Sequence, residues 1–505
     1  MKVYKYLMLF LLAGGILVSC AKDDMDDNID DNAELPGEEP KGDLSLEIKD
    51  FEYKAMDIWY YYNDDMEIYN DDYFASQAEL NSWLEDWDSP EDLFYDGLLL
   101  NYPNTDRFSW IVDDYEELEN YFAGTTKSTG MDYGLSRYCT GCNEVFVYTR
   151  YVLPDTPAAE AGIERGMIFT EIDGQQITAS NYSQLLAGES LELGVGKIEN
   201  GEILTTSETI SVTKTEVTEN PVYIAKTFDL DGTKVGYLMY NSFTYDFDDS
   251  LNDAFGLFKT EGVNALILDL RYNGGGRISS ALDLSSMITG QFNDEPFIKV
   301  EYNDYIQSVY ESENPGALTI RLDDKIYEGT ANSQAINSLN LNKVYVIATG
   351  SSASASELVM NGLDAYIDVV HIGTTTVGKV QGSDTYYDSN PPNFNKDASL
   401  NPDHKYALQP LILSLVNANG EAYPEGLTPD IEQREFIDTY GVLGDPNEPL
   451  LALALEAISG NRMMSDESLK GDIPVDLISE RKAQFPDYQR MYIDTDLPEL
   501  NTDIE

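Results

Sequence analysis

Between residues 44 and 125, apolar side chains recur at roughly helical spacing: Phe51, Ala55, Ile58 and Trp59, then Leu80, Trp83 and Leu84. Ser89-Pro90-Glu91-Asp92 reads as a helix start, with Ser89 as cap and Pro90 in the first turn. A small helical domain is expected here, its Tyr and Trp side chains serving as core rather than as a sugar-binding surface. Over residues 126–218 the pattern changes to short β-type runs. Glu144–Val152 and Met167–Ile172 read as strands, with Asp173-Gly174 as a turn.

Over residues 219–460 strand and helix alternate. Val235–Tyr240, Ala265–Leu270, Lys343–Ala348 and Val369–Ile372 are continuous apolar runs, and Ser250–Lys259, Ser279–Ile288 and Ser354–Tyr366 carry helical patterns. Strands that are apolar on both faces belong in a buried, largely parallel sheet covered by helices. Leu411–Val416, Asn419-Gly420 and Tyr423 read as a hairpin, Glu448–Ile458 as a closing helix, and the acidic residues 461–505 as a loosely packed end. The expected fold class is multidomain α+β and α/β, without internal repeats.

Charge and composition narrow the function. Lys plus Arg number 31 against 91 Asp plus Glu, a net charge of −60. Such a chain repels nucleic-acid phosphates and carries no polybasic membrane patch, so no nucleic-acid partner is expected. There are two histidines, His371 and His404, and three cysteines. Zinc sites of three histidines or four cysteines are excluded, no metal or cofactor is expected, and a base working near neutral pH is expected not to be histidine.

The chain opens with Lys2 and Lys5 before the apolar run Leu7–Val18, which has the length of a secretory h-region and is short for a membrane span. The run ends in Leu17-Val18-Ser19-Cys20, which resembles a bacterial lipobox. That implies a signal peptide over residues 1–19 and lipid on Cys20; an ordinary signal peptide is the alternative. Residues 20–43 are acidic with Pro and Gly, a solvated tether. Lys22-Asp23-Asp24 resembles the export signal of surface lipoproteins in Bacteroidetes-type bacteria. The expected location is the bacterial cell envelope, on the periplasmic or surface face of the outer membrane. There, Cys139 and Cys142 are expected as a local disulfide or surface thiols, since their loop-then-strand setting does not suit a redox pair.

Three segments carry candidate chemistry. Leu268–Gly276 runs from a strand into consecutive glycines, which let the backbone approach a ligand and aim N–H groups at it; no Lys-Ser/Thr follows, so a nucleotide P-loop is unsupported. Gly350–Glu357 places serines where a strand feeds a helix, at the positive end of the helix dipole, suited to a nucleophile; Ser354-x-x-Glu357 is equally a plain capping box. Gly373–Lys379 ends on a lysine beyond a buried strand. To act as a base that lysine must be neutral, and desolvation is what lowers a lysine pKa from about 10.4.

Leu153–Gly166 (LPDTPAAEAGIERG) resembles the helix-turn-strand of a PDZ domain, with Met167 in place of the usual Asp. The resemblance makes Tyr133, Gly134 and Leu135 the loop that holds a peptide carboxylate, a mode that combines carboxylate capture with strand addition. Leu270–Gly276, Ser352–Glu357 and Thr376–Lys379 together resemble the motifs of the C-terminal processing peptidases, or tail-specific proteases. That family has a ClpP/crotonase-like core, a preceding PDZ domain and a Ser–Lys dyad with the lysine 25 positions after the serine, as Lys379 follows Ser354. Gly236-Tyr237, Ser242-Phe243 and Gly426–Asp430 extend the likeness over about residues 130–460. The resemblance implies Ser354 as nucleophile, Lys379 as base, and the N–H groups of Gly275 and Ala355 as oxyanion hole, acting on protein or peptide substrates and C-terminal tails. Gly274 replaces the family proline. Ser383 stands where many members carry a glutamine, leaving Gln381 as the candidate third member. A catalytically inactive PDZ-containing binding protein and a crotonase-like acyl-CoA enzyme are the alternatives.

Overall fold

The apolar spacing near the start of the chain forms the helix Leu44–Trp59, which buries Phe51, Ala55, Met56 and Trp59. The computed structural model describes residues 44–139, 141–327, 329–461, 469–484 and 491–493; the expected signal peptide, Cys20 and the acidic tether lie outside the described residues. Ser89 caps the helix Pro90–Leu93 as expected, accepting Asp92 N–H at 3.0 Å. The helical residues keep no separate core. Phe51, Trp59 and Leu84 join the same apolar cluster as Leu268, Leu284 and Val346. Polar bonds follow the same route, as Trp59 Nε1 donates to Pro392 O (2.7 Å) and Asn303 Nδ2 to Ile58 O (2.9 Å).

The β region forms a sheet with the path Leu477–Glu480, Met131–Arg137, Val145–Val152, Ile168–Ile172, Ser190–Glu199 and Glu202–Thr213. Its own apolar cluster gathers Leu135, Val147, Phe169 and Leu193. Two expectations are corrected here. Tyr133, Gly134 and Leu135 lie in the middle of a strand, not in a loop, paired on one side with Thr149, Tyr148 and Val147. Their apolar side chains are buried in the sheet's core, which holds the segment extended. Gly134 is there for space: a Cβ would stand 2.2 Å from the Tyr148 hydroxyl. The second correction concerns the end of the chain. Residues 461–505 were expected to pack loosely, yet Leu477–Glu480 and Met491–Tyr492 are strands, and Glu480, Arg481 and Met491 are buried. Cys139 and Cys142 form a disulfide beyond the end of the Met131–Arg137 strand.

The core sheet runs Val222–Leu230, Thr233–Tyr240, Ala265–Asp269, Lys343–Ala348, Asp368–Gly373 and Ile431–Glu432, parallel from the second strand onward. Continuous apolar strands serve two faces with period two. Leu238 and Tyr240 enter the cluster holding the helices Asp248–Glu261, Ile278–Thr289 and Ala355–Asp364, while Tyr237 and Met239 enter the cluster of the closing helix Pro449–Ser459. A further sheet runs Gly276–Arg277, Met491–Tyr492, Gln381–Ser383, Leu411–Asn417, Pro296–Tyr302 and Thr319–Arg321. The expected hairpin after Leu411 does not form. Both edges of Leu411–Asn417 are taken by Gln381–Ser383 and Pro296–Tyr302, so the Asn419-Gly420 turn, closed by Asn417 N–H to Glu421 O (3.0 Å), leads into irregular chain.

Candidate active site

Ser354 stands at the turn between the Lys343–Ala348 strand and the Ala355–Asp364 helix, with φ +63° and ψ −117°. A side chain at positive φ strains the backbone by about 1–3 kcal/mol, and persists only where the surroundings over-determine the turn. Here they do. Ser352 Oγ donates to Leu270 O (2.8 Å), Ser356 Oγ and Ala353 N–H both donate to Asn273 O (2.9 and 3.2 Å), and Thr349 Oγ1 donates to Arg271 O. Each bond sews the serine segment to the glycine turn. Ser354 is fully buried, and among the described residues its Oγ has no hydrogen-bond partner.

The capping reading of Glu357 holds in part, and the carboxylate does more. Its Oε2 accepts Ser354 N–H (2.7 Å) and Lys379 N–H (2.9 Å); its Oε1 accepts Gly378 N–H (2.6 Å) and Thr376 Oγ1–H. Two backbone nitrogens 25 positions apart therefore meet on one oxygen atom. Burial pushes the Glu357 carboxyl above the usual carboxylate range, and the four hydrogen bonds only partly pull it back. Lys379 is 1% exposed, and its Nζ lies 5.1 Å from the centroid of the Phe108 ring. A cavity of about 20 Å³ beside it is lined by Glu357, Val380, Leu415 and Met491.

The glycine turn approaches its neighbour as closely as its sequence allows. Gly276 has φ +131°, and a Cβ there would meet Phe243 O at 2.2 Å. Gly275 N–H, an expected oxyanion donor, is donated to Asn273 Oδ1 (2.9 Å), while Asn273 Nδ2 donates to Tyr240 O (2.9 Å). Ala355, the other expected donor, is the buried first residue of its helix. A cavity of about 60 Å³ lies against Gly274 and Gly275, with Ser242 and Thr244 in its wall. Gln381 donates its amide to the Tyr62 hydroxyl (3.2 Å), and Ser383 Oγ donates to Met491 O (3.1 Å). The histidines are engaged elsewhere. His371 Nε2 lies 3.2 Å from Ala348 O, and burial holds its pKa below the usual value; His404 Nε2 lies 2.8 Å from Asp388 Oδ2.

Sequence reasoning missed the charges behind the glycine turn. Arg271 is fully buried. It donates Nε to Asp269 Oδ1 (2.9 Å), Nη2 to Asp269 Oδ2 (2.7 Å) and Glu448 Oε2 (2.9 Å), and Nη1 to Glu448 Oε1 (2.7 Å). Burial pushes the Glu448 carboxyl up, but the guanidinium beside it wins and holds it below the usual range. The arginine inside an apolar strand end was the available signal: a buried guanidinium needs carboxylates. Arg150 was also missed. It is 2% exposed and donates Nη2 to Ser351 Oγ (2.9 Å), three residues before Ser354.

Residues 234–433 match the model of peptidase family S41, and residues 148–195 match that of the PDZ domain. The chain is 25% identical over 233 residues to the carboxyl-terminal-processing protease of a Picosynechococcus species, covering 45% of this chain and 49% of that protein. It is 22% identical over 269 residues to the carboxy-terminal processing protease CtpA of Bacillus subtilis, covering 51% of each. It thus spans about half the length of the curated relatives it matches. A solved structure from Bacteroides fragilis assigned to the S41 proteases is 26% identical, with a TM-score of 0.59 over 85% of this chain and 99% of that one. The serine turn, the glycine turn and Lys379 all lie within residues 234–433, so the match to peptidase family S41, preceded by the PDZ match, takes in every segment of the candidate site.

Proposed function

We propose that the chain is a serine endopeptidase of the carboxyl-terminal processing type, acting on protein substrates near their C-termini. The observation that carries the reading is the shared carboxylate: Glu357 binds the backbone of both Ser354 and Lys379, so the strained serine and the buried lysine are fixed relative to one another. In this reading Ser354 Oγ attacks the peptide carbonyl and neutral Lys379 takes its proton. The developing oxyanion is received by Ala355 N–H and by Gly275 N–H, which Asn273 Oδ1 holds until substrate arrives. The lysine then protonates the leaving amine, and water resolves the acyl-enzyme. Gln381 or Ser383 would be the third member that orients the lysine.

The same proposal places the protein in the bacterial cell envelope, anchored through lipid on Cys20. Cys20→Ala is expected to move from the detergent phase to the aqueous phase and to lose the lipid mass; retention of both removes the anchor. For the chemistry, a serine-acylating probe is expected to label wild type at Ser354, mapped by mass spectrometry, and to leave Ser354→Ala unlabelled. Labelling of another residue, or no labelling of a protein that cleaves unfolded substrate, overturns the nucleophile assignment.

A further inference from the structure

The strand Met131–Arg137 has its outer edge filled by the chain's own end. Leu477 pairs with Ser136, Ser479 with Leu135 and Glu480 with Gly134, and Asp476 N–H donates to Ser136 Oγ (3.1 Å). Ile478 packs on the apolar cluster of the PDZ domain. Glu480, 2% exposed, forms an ion pair with Arg150. Arg481 donates Nε to Asp132 Oδ2 (3.2 Å) and Nη2 to Glu219 Oε2 (3.4 Å), and Lys482 Nζ donates to Asn241 O (2.6 Å) and Tyr272 O (3.0 Å).

The chain's end also reaches the candidate catalytic cleft. Met491–Tyr492 lies parallel to Gly276–Arg277 on one side and meets Ser383 on the other, where Ser383 Oγ donates to Met491 O and Ile493 N–H to Ser383 O (2.9 Å). It therefore sits between the strand leaving the glycine turn and the strand that follows Lys379. Arg481, Lys482 and Tyr492 form part of the wall of the cavity beside Gly274 and Gly275.

The grip on residues 477–482 is of a particular kind. Leu477, Ile478 and Ser479 are only half buried, so the segment is held by a four-residue ladder and by three charged side chains. Ladder bonds accept any extended backbone, whereas the charges select. Among the described residues, a departing Glu480 leaves Arg150 with Asp132 Oδ1, at 3.9 Å, as its carboxylate neighbour. Arg150, 2% exposed with the segment in place, thus loses the nearer of its two carboxylates when Glu480 departs, which favours a replacement segment that brings an acid, and the same guanidinium holds Ser351.

We propose that Ile478-Ser479-Glu480-Arg481 fills the strand-addition edge of the PDZ domain, Met131–Arg137, in cis until an external segment displaces it, and that Arg150 at the floor of this edge selects segments of the order apolar-x-acid-base. Calling the displacing segment a substrate rests on the peptidase reading; the binding site does not. Because the acid of the bound segment reaches Arg150, and Arg150 reaches Ser351, occupancy of the edge and the set of the nucleophile turn are mechanically joined.

The test uses the full chain carrying Ser354→Ala, so that binding is read without turnover, and a fluorescein-labelled peptide of residues 476–482, DLISERK. A tethered segment competes at an effective concentration in the millimolar range, so an added peptide binds the unaltered tail weakly. Adding Ile478→Asp and Ser479→Pro, which remove the apolar contact and a ladder donor, is expected to tighten peptide binding about thirty-fold or more by removing that competition. The same peptide with lysine in place of the acid is expected not to bind. Equal anisotropy titrations with and without the tail substitutions, or equal binding of the lysine peptide, overturn the proposal. Should the doubly substituted tail prevent folding, Glu480→Gln keeps the ladder and is expected to tighten binding about ten-fold, with no change again overturning it. With Ser354 restored, Ile478→Asp/Ser479→Pro is expected to raise kcat/KM on an unfolded protein several-fold. Peptide binding without any turnover in the wild type counts against the peptidase reading alone.

Discussion

Replacing Glu357 separates a positioning carboxylate from a simple helix cap. The side chain accepts four hydrogen bonds, three from backbone N–H groups and one from Thr376. Glu357→Ala strands those donors in a buried site. At about 1–3 kcal/mol for each unsatisfied group, the loss is at least about 4 kcal/mol. Glu357→Gln keeps the shape but has one acceptor oxygen. The amide nitrogen is best turned toward Thr376, whose hydroxyl can reverse and accept, leaving Gly378 N–H without a partner at a cost of about 2 kcal/mol. A cost of that size, expressed as misplacement of Ser354 against Lys379, corresponds to about a thirty-fold loss in kcat with KM nearly unchanged. Stability should show a second signature. The Glu357 carboxyl lies above its unfolded value, so its favourable contribution is complete below the unfolded value and is lost as pH rises through the folded one. The glutamine variant lacks this titration. The stability gap between wild type and Glu357→Gln should therefore narrow as pH rises across that window and stay constant above it. Thermal melts against pH and kcat/KM on an unfolded substrate provide both readings. A folded Glu357→Ala with wild-type kcat would refute the positioning role, and a gap that widens with pH would refute the electrostatic account.

Ser354→Ala should abolish turnover by orders of magnitude while retaining the fold, and Ser354→Gly should be equally inactive but more stable than the alanine variant by about 1 kcal/mol, because glycine accepts φ +63°; equal melting temperatures would remove the strain argument. Lys379→Arg and Lys379→Ala should be similarly inactive, since arginine does not deprotonate in a useful range, and wild-type kcat/KM should rise with pH, whereas a well-folded His371→Gln should keep its turnover. The lowered pKa of His371 means that its contribution to stability is present above the unfolded value and is lost as pH falls, so the glutamine variant should lose less stability than wild type below about pH 6.5. Arg271→Met leaves Asp269 and Glu448 buried without their cation and should cost about 3–5 kcal/mol, seen as a fall in melting temperature.

Much of the core was legible because it obeys short-range rules. Lys343–Ala348 is a strand over the very residues its apolar run marks out, and Ser89 and Pro90 act as the helix start their chemistry predicts. The serine and lysine motifs were legible as a spacing, but the reason for the spacing was not. It lies in Glu357, whose cap-like position concealed a second role that depends on chain 22 residues away. The strand at Tyr133–Leu135 was expected as a loop because the PDZ resemblance places the carboxylate-holding loop there, whereas Gly134 answers to the Tyr148 ring on the neighbouring strand. The hairpin after Leu411 failed for a related reason. Its turn chemistry was right locally, but its edges were already claimed by strands far away in sequence. The acidic end looked unstructured because composition reports solvation, and the partners of Glu480 and Arg481 lie more than 260 residues earlier.

The backbone at Ser354 also bears on how this protein can drift. At φ +63° every L-residue is penalised, and glycine least of all. Local conformational preference therefore pulls the position toward glycine, while only the hydroxyl's chemistry pulls it toward serine. A lineage released from the need to cut peptides would gain stability from the codon change that removes the proposed nucleophile, and would lose nothing of the surrounding hydrogen bonds, which come from Ser352, Ser356 and Thr349. Descendants that have become binding proteins are thus expected to be marked by a glycine at this one position in an otherwise intact turn, and under the proposed mechanism a serine is expected to persist only where cleavage is still selected.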